Sequence, residues 1–89
     1  MASLLVQIKV KDFGEWKKVF DSSAGLRASN GALSSQVFQD ASDPKSVTVL
    51  NRWNTLENAK KFNLSPELKA AQEKAGVEGT PKVVFLNEV

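Results

Sequence analysis

The sequence contains no cysteine, no histidine and no tyrosine. Without cysteine there is no disulfide framework and no thiolate metal site. Without histidine the commonest general base near neutral pH and the commonest transition-metal ligand are both missing. The ten acidic residues are scattered, with no loop-spaced cluster to hold Mg²⁺ or Ca²⁺, so no metal site is expected. Charge of one sign is not concentrated either. Residues 1–45 and residues 46–89 each carry six basic and five acidic side chains, and the net charge is +2. This balance points away from nucleic acid as a partner. No apolar run approaches the roughly 20 residues of a membrane span. At the N-terminus Gln7 and Lys9 interrupt the apolar residues, so no signal-peptide core forms. The expectation is a soluble, cytoplasmic protein of one domain, residues 1–89.

What is present is a regular alternation of strand and helix patterns. From Ser3 to Val10, Leu4, Val6, Ile8 and Val10 share one parity, the period of a half-buried strand. Asp12 with Glu15 has capping-box spacing. Phe13, Trp16, Phe20, Ala24 and Arg27 then follow at helical spacing, which predicts one helix of about four turns ending at Asn30-Gly31. Ala32 to Asp40 is a strand with Leu33, Ser35, Val37 and Gln39 on one face. A polar turn over Asp40–Lys45, with Pro44 at its second position, leads into a third strand. That strand puts Val47, Val49, Asn51 and Trp53 on one face and Thr48, Leu50 and Arg52 on the other. Asn54 or Thr55 caps the next helix, whose stripe is Leu56, Ala59 and Phe62. Ser65-Pro66 restarts it, and Gly76 closes it. Glu78–Pro81 reads as a loop, and Lys82–Val89 as the last strand.

The order β-α-β-β-α-β predicts an α+β, ferredoxin-like fold: a four-stranded antiparallel sheet with its helices on one face. The uncovered face should be polar in a monomer. Here both faces of each strand carry apolar residues: Leu5 opposes Leu4, Val6, Ile8 and Val10, Val37 opposes Phe38, Val49 opposes Leu50, and Val83 and Phe85 oppose Val84 and Leu86. A homodimer through the sheet face is therefore expected, burying about 800 Å² per partner. Arg52 on this face could pair with Glu88 across the two-fold or sit at the rim. Arg27 is assigned to the helix dipole.

Several stretches resemble the dimeric α+β barrel superfamily of antibiotic-biosynthesis-monooxygenase-like and cyclase-like small proteins. They are Val49 to Ala59, then Phe62, then Ser65-Pro66-Glu67-Leu68; Asp12-Phe13 with Trp16, Phe20 and Arg27; and the ending from Ala75-Gly76-Val77 through Pro81 to Phe85-Leu86. The resemblance spans nearly the whole chain and implies the fold and a dimer. Haem-degrading members carry a histidine on the second helix. This chain has Lys61, Phe62 and Asn63 there, so that route is not implied. Cofactor-independent, quinone-forming members line a cavity between helices and sheet with asparagine and tryptophan. By pattern, Asn51 and Trp53 fill those places, and no cofactor is implied.

Trp16, Phe20, Trp53 and Phe62 around Asn51 form the candidate ligand-binding set. It is open to two readings: the wall of a pocket for a small aromatic ligand, or a solid core. The matching functions are a cofactor-independent monooxygenase-like or cyclase-like enzyme, and a non-catalytic dimer that binds a small ligand or a protein. An asparagine among valines on an inner strand needs a partner or costs about 1–3 kcal/mol, which favours the pocket a little. An enclosed cavity beside Asn51 is the observation that separates the functions.

Overall fold

The computed structural model describes residues 2–89. In chain order the elements are β1 (Ala2–Val10), α1 (Phe13–Ser22), α2 (Ala24–Ser29), β2 (Ala32–Asp40), β3 (Asp43–Trp53), α3 (Leu56–Asn63), α4 (Pro66–Lys74) and β4 (Val77–Asn87). The strands form one antiparallel sheet in the order β2-β3-β1-β4. This is the expected ferredoxin-like βαββαβ architecture, with each helical stretch divided into two short helices. β1 and β3 are the inner strands. Leu4 pairs with Asn51, Val6 with Val49 and Ile8 with Val47.

Period-two alternation decides which side of the sheet is covered. Val47, Val49, Asn51 and Trp53 are all buried, as are Leu4, Ile8 and Val10. All of them face the helices. Two apolar clusters form there. One gathers Ile8, Val10, Val47 and Val49 under Trp16 of α1 and Ala75. The other gathers Ala2, Leu4 and Trp53 under Ala59 and Phe62 of α3. Trp53 is completely buried and its ring centroid lies 5.1 Å from that of Phe62. Burial of an indole of this size contributes about 4–6 kcal/mol as an upper estimate. The helices start on capping side chains. Asp12 accepts from the Glu15 amide at 2.8 Å, Thr55 from the Asn58 amide at 3.1 Å and Ser65 from the Leu68 amide at 3.2 Å. Pro66 follows Ser65 at the first helical position, where a missing N–H costs nothing.

The structure departs from the sequence pattern at five places. The first helix breaks at Ser23. The hydroxyls of both Ser22 and Ser23 donate to the Val19 carbonyl at 2.9 Å, competing with the helical ladder and letting the chain turn into α2. Leu33 does not share a face with Ser35. Ala32 pairs with Trp53 and Ser34 with Arg52, so Leu33 is the extra residue of a bulge and is 53% exposed. The β2–β3 turn is shorter than Asp40–Lys45: Asp40 pairs with Asp43, and only Ala41 and Ser42 lie between the strands. Pro44 is thus inside β3, at a register irregularity, where a residue without an N–H is tolerated. The fourth strand begins at Val77, not Lys82. Gly79–Pro81 forms a bulge in one continuous strand, because Lys9 pairs with Glu78 while Gln7 pairs with Lys82.

The fifth departure concerns the uncovered face. Its apolar centre is the cross-strand row Leu50–Leu5–Val84, with Phe38 and Leu86 exposed beside it. Gln7, Gln36, Thr48 and Lys82 share that face, so the apolar area is a strip and not the whole surface. Arg52 pairs with Glu88 of its own chain at 2.9 Å, spanning from β3 across β1 to the end of β4. It needs no partner across a two-fold. Among the described residues no helix is long and apolar enough to cross a membrane.

Candidate functional site

Between the two clusters, on the helix side of β1 and β3, lies a cavity of ≈ 80 Å³ that opens to solvent. Its floor is Leu4, Val6, Ile8, Val49 and Asn51. Trp16 and Phe20 of α1 and Phe62 of α3 form its walls. Ala71 and Ala75, one helical turn apart at the end of α4, form part of the roof. Small side chains there explain why the space is not filled. The Trp16 and Phe20 rings stack at 5.0 Å, which fixes one wall as a flat aromatic surface.

Asn51 is 5% exposed and sits between Val49 and Trp53 on the covered face of β3. Its partner is on the edge strand: the Ser35 hydroxyl donates to Asn51 Oδ1 at 2.5 Å. This bond occupies the carbonyl end of the amide. The two N–H donors of Nδ2 have no acceptor among the described residues and belong to a residue that lines the cavity. The arrangement offers hydrogen bonds to an oxygen atom placed inside an apolar, aromatic-walled space.

Of the residues singled out from the sequence, the structure brings Trp16, Phe20, Asn51 and Phe62 together at the cavity. Trp53 is not among its lining residues. Two residues beyond Asn51 on the same strand, it lies about 6.6 Å farther along, under Phe62 and Ala59. Its indole Nε1 is buried without an acceptor among the described residues. It is a core residue that buttresses the Phe62 wall.

Four polar residues at the cavity were not assigned to it from sequence: Ser23, Arg27, Asn63 and Gln72. Arg27 stands out. Its guanidinium carbon lies 3.7 Å from the Phe20 ring centroid, and Nη1 donates to the Phe20 carbonyl at 2.7 Å. It therefore ties α2 to the last turn of α1 while lying in the last turn of its own helix. Partial burial holds its pKa below the ordinary guanidinium value, with Asp21 opposing that effect. The signal was in the sequence: Arg27 falls seven residues after Phe20 on the same apolar stripe. Among the described residues, no group of acidic side chains is arranged to hold a metal ion.

The family model described as antibiotic biosynthesis monooxygenase matches residues 1–74. Solved structures share the fold over nearly the full chain. A candidate antibiotic biosynthesis monooxygenase from Bordetella bronchiseptica superposes with a TM-score of 0.84 at 15% identity, covering 99% of this chain and 96% of that one. SnoaB from Streptomyces nogalater, a cofactor-independent oxygenase, gives 0.80 at 13% identity, with 99% and 92% covered. A further candidate antibiotic biosynthesis monooxygenase, from Caulobacter crescentus, gives 0.78 at 22% identity, with 99% and 89% covered. No curated relative matches the sequence.

Proposed function

The chain belongs to the antibiotic biosynthesis monooxygenase family, and on that premise we propose that its cavity binds a small aromatic compound for oxidation by O₂ without a cofactor. The observation that carries this reading is the Ser35–Asn51 pair. It presents a fixed amide donor inside an apolar space, the arrangement that stabilises a developing oxyanion. A hydroxylated aromatic loses a proton more easily when its oxygen is met by such a donor, and the resulting electron-rich anion can reduce O₂ directly. In the net reaction the ring CH₂ of the keto tautomer, which shares that anion, becomes a carbonyl. One oxygen atom enters the product, and the other leaves as water with the two displaced hydrogens. SnoaB, a cofactor-independent oxygenase of the same fold, supports the reading by analogy.

The volume sets a condition. An engineered void of about 150 Å³ accepts benzene, and the ≈ 80 Å³ here is smaller. A ring must push wall side chains aside, and the rest of a larger ligand must project through the open side. The working unit in this reading is a homodimer, joined through the Leu50–Leu5–Val84 strip.

The test is oxygen uptake with anthrone-like substrates. Asn51→Ala should lower the rate about 10²–10³-fold while the circular dichroism spectrum stays unchanged. An unaltered rate would remove Asn51 from the chemistry. A second reading, a non-catalytic dimer that only binds such compounds, is favoured by one observation: among the described residues the cavity lining holds no carboxylate to act as a base. Tight binding without oxygen uptake would select it.

A further inference from the structure

The cavity has a charge bias that its aromatic walls conceal. Among the described lining residues Arg27 is the one with a formal charge, and no acidic side chain lines the same space. Arg27 makes no salt bridge among the described residues. Asp21, the acid that acts on it, is engaged with Lys17 at 2.7 Å. Nη1 is bonded to the Phe20 carbonyl, which leaves the other guanidinium N–H groups without a protein partner among the described residues. A half-buried guanidinium, over an aromatic ring at 3.7 Å and short of a counter-ion, is arranged for a planar anion. Asn51, deeper in the cavity, offers a second and uncharged donor.

We infer that Arg27 makes this cavity selective for planar aromatic compounds bearing an ionised oxygen group, either a carboxylate or an acidic enol, with Asn51 meeting another oxygen of the same molecule. The inference rests on the cavity being the ligand site. Its chemistry explains why an arginine lies on an apolar helical stripe. It also disfavours amines and other cationic aromatics, which would bring a second positive charge to a half-buried one. Arg27 is a specificity residue here, and oxygen chemistry is not assigned to it.

The test measures binding under anaerobic conditions, by titration calorimetry, of two matched pairs: a naphthoate with its methyl ester, and an acidic hydroxynaphthoquinone with its methyl ether. For the native chain at pH 7 at least one anion should bind about tenfold or more tightly than its neutral partner, the gain expected of one charge-assisted contact. Which pair discriminates identifies the group. Arg27→Gln should abolish the preference, and Arg27→Lys should keep part of it as a point charge without the planar fork. Equal affinities within both pairs for the native chain, or a preference that survives in folded Arg27→Gln, overturn the inference. If both members of each pair bind equally and Asn51→Ala weakens them all, the inference fails while the ligand site stands. If none of the four binds, both fail. The native-chain comparison does not depend on any variant folding.

Discussion

Ser35 and Asn51 illustrate how a polar residue is made tolerable in an apolar layer and useful at the same time. The hydrogen bond between them neutralises the cost of burying the amide carbonyl and fixes which end of the amide faces the cavity. Ser35→Ala leaves a buried acceptor without a donor. It should lower stability by about 1–3 kcal/mol in urea unfolding and weaken aromatic ligands as well, because the amide is then free to rotate. A loss of stability with undiminished ligand affinity would show that the orientation of Asn51 is irrelevant to binding. Asp43 makes a different kind of prediction. Its carboxylate is held below the ordinary aspartate range first by the Lys9 ammonium, 2.7 Å away, and then by the Lys45 amide. Because the folded-state value is depressed, its contribution is complete above the unfolded value of about 3.9 and disappears as pH falls through the lower, folded value. Asp43→Asn should therefore lower the thermal midpoint slightly at pH 7, where the contribution is complete, and flatten its pH dependence on the acid side of about pH 4. The readout is the thermal midpoint as a function of pH.

The elements explain what could be read from the chain and what could not. β3 was legible from Val47 onward, but Asp43 and Pro44 carry turn signals that hide its first residues, Asp43 to Lys45. Four alternating residues from Val47 to Trp53 are buried as their spacing required, and Asn51 attracted notice as the polar one among them. Thr55, Ser65 and Gly76 marked helix ends because each supplies a group that a helix terminus lacks. The break at Ser23 was not legible. Serine is only mildly unfavourable in a helix, and what ends α1 is two consecutive hydroxyls sharing one carbonyl, a feature of geometry and not of composition. Glu78–Pro81 carried ordinary loop signals, Gly79 and Pro81. The pairing of β4 with β1 on both sides of those residues overrode them. Arg27 does sit in the last turn of its helix, as its position near a helix end suggested, but its place on the apolar stripe was the clue to the cavity.

Two glycines test this level directly. Gly25 lies in α2 with open space around its Cα, so Gly25→Ala should raise stability by about 0.4–1 kcal/mol. Gly31 has φ +109°, and a Cβ there would fall 2.5 Å from the Asn54 Oδ1 atom. Gly31→Ala should cost more than the Gly25 change gains, about 1–3 kcal/mol. Opposite signs in parallel urea titrations are the expected result. If both changes stabilise, the α2–β2 turn is not constrained as described.

At the scale of the whole molecule, four strands and two pairs of short helices leave one sheet face uncovered, with leucines and a valine along its centre. The polar residues beside that strip are of the kind expected at the rim of an interface. In the proposed dimer, sedimentation equilibrium at micromolar concentration gives twice the 9.7 kDa chain mass, and Leu50→Arg gives the single-chain mass. A native chain that sediments as a monomer would contradict this assembly, but not the ligand site on the opposite face. The helix-side cavity is the consequence of the same architecture. Two clusters are packed tightly under Trp16 and under Phe62, and the seam between them is lined by Asn51 below and by alanines above.

That seam can be examined one hydrogen at a time. In ¹⁵N-labelled protein the Asn51 side-chain amide and the indole N–H groups of Trp16 and Trp53 give separate signals. Titration with a naphthoate or an acidic hydroxynaphthoquinone should shift the Asn51 amide and the Trp16 indole strongly and the Trp53 indole least, since Trp53 stands behind Phe62 and outside the cavity. Unmoved Asn51 and Trp16 signals at saturating ligand, or shifts confined to Leu5, Leu50 and Val84 on the far face of the sheet, would contradict the assignment of this cavity as the site.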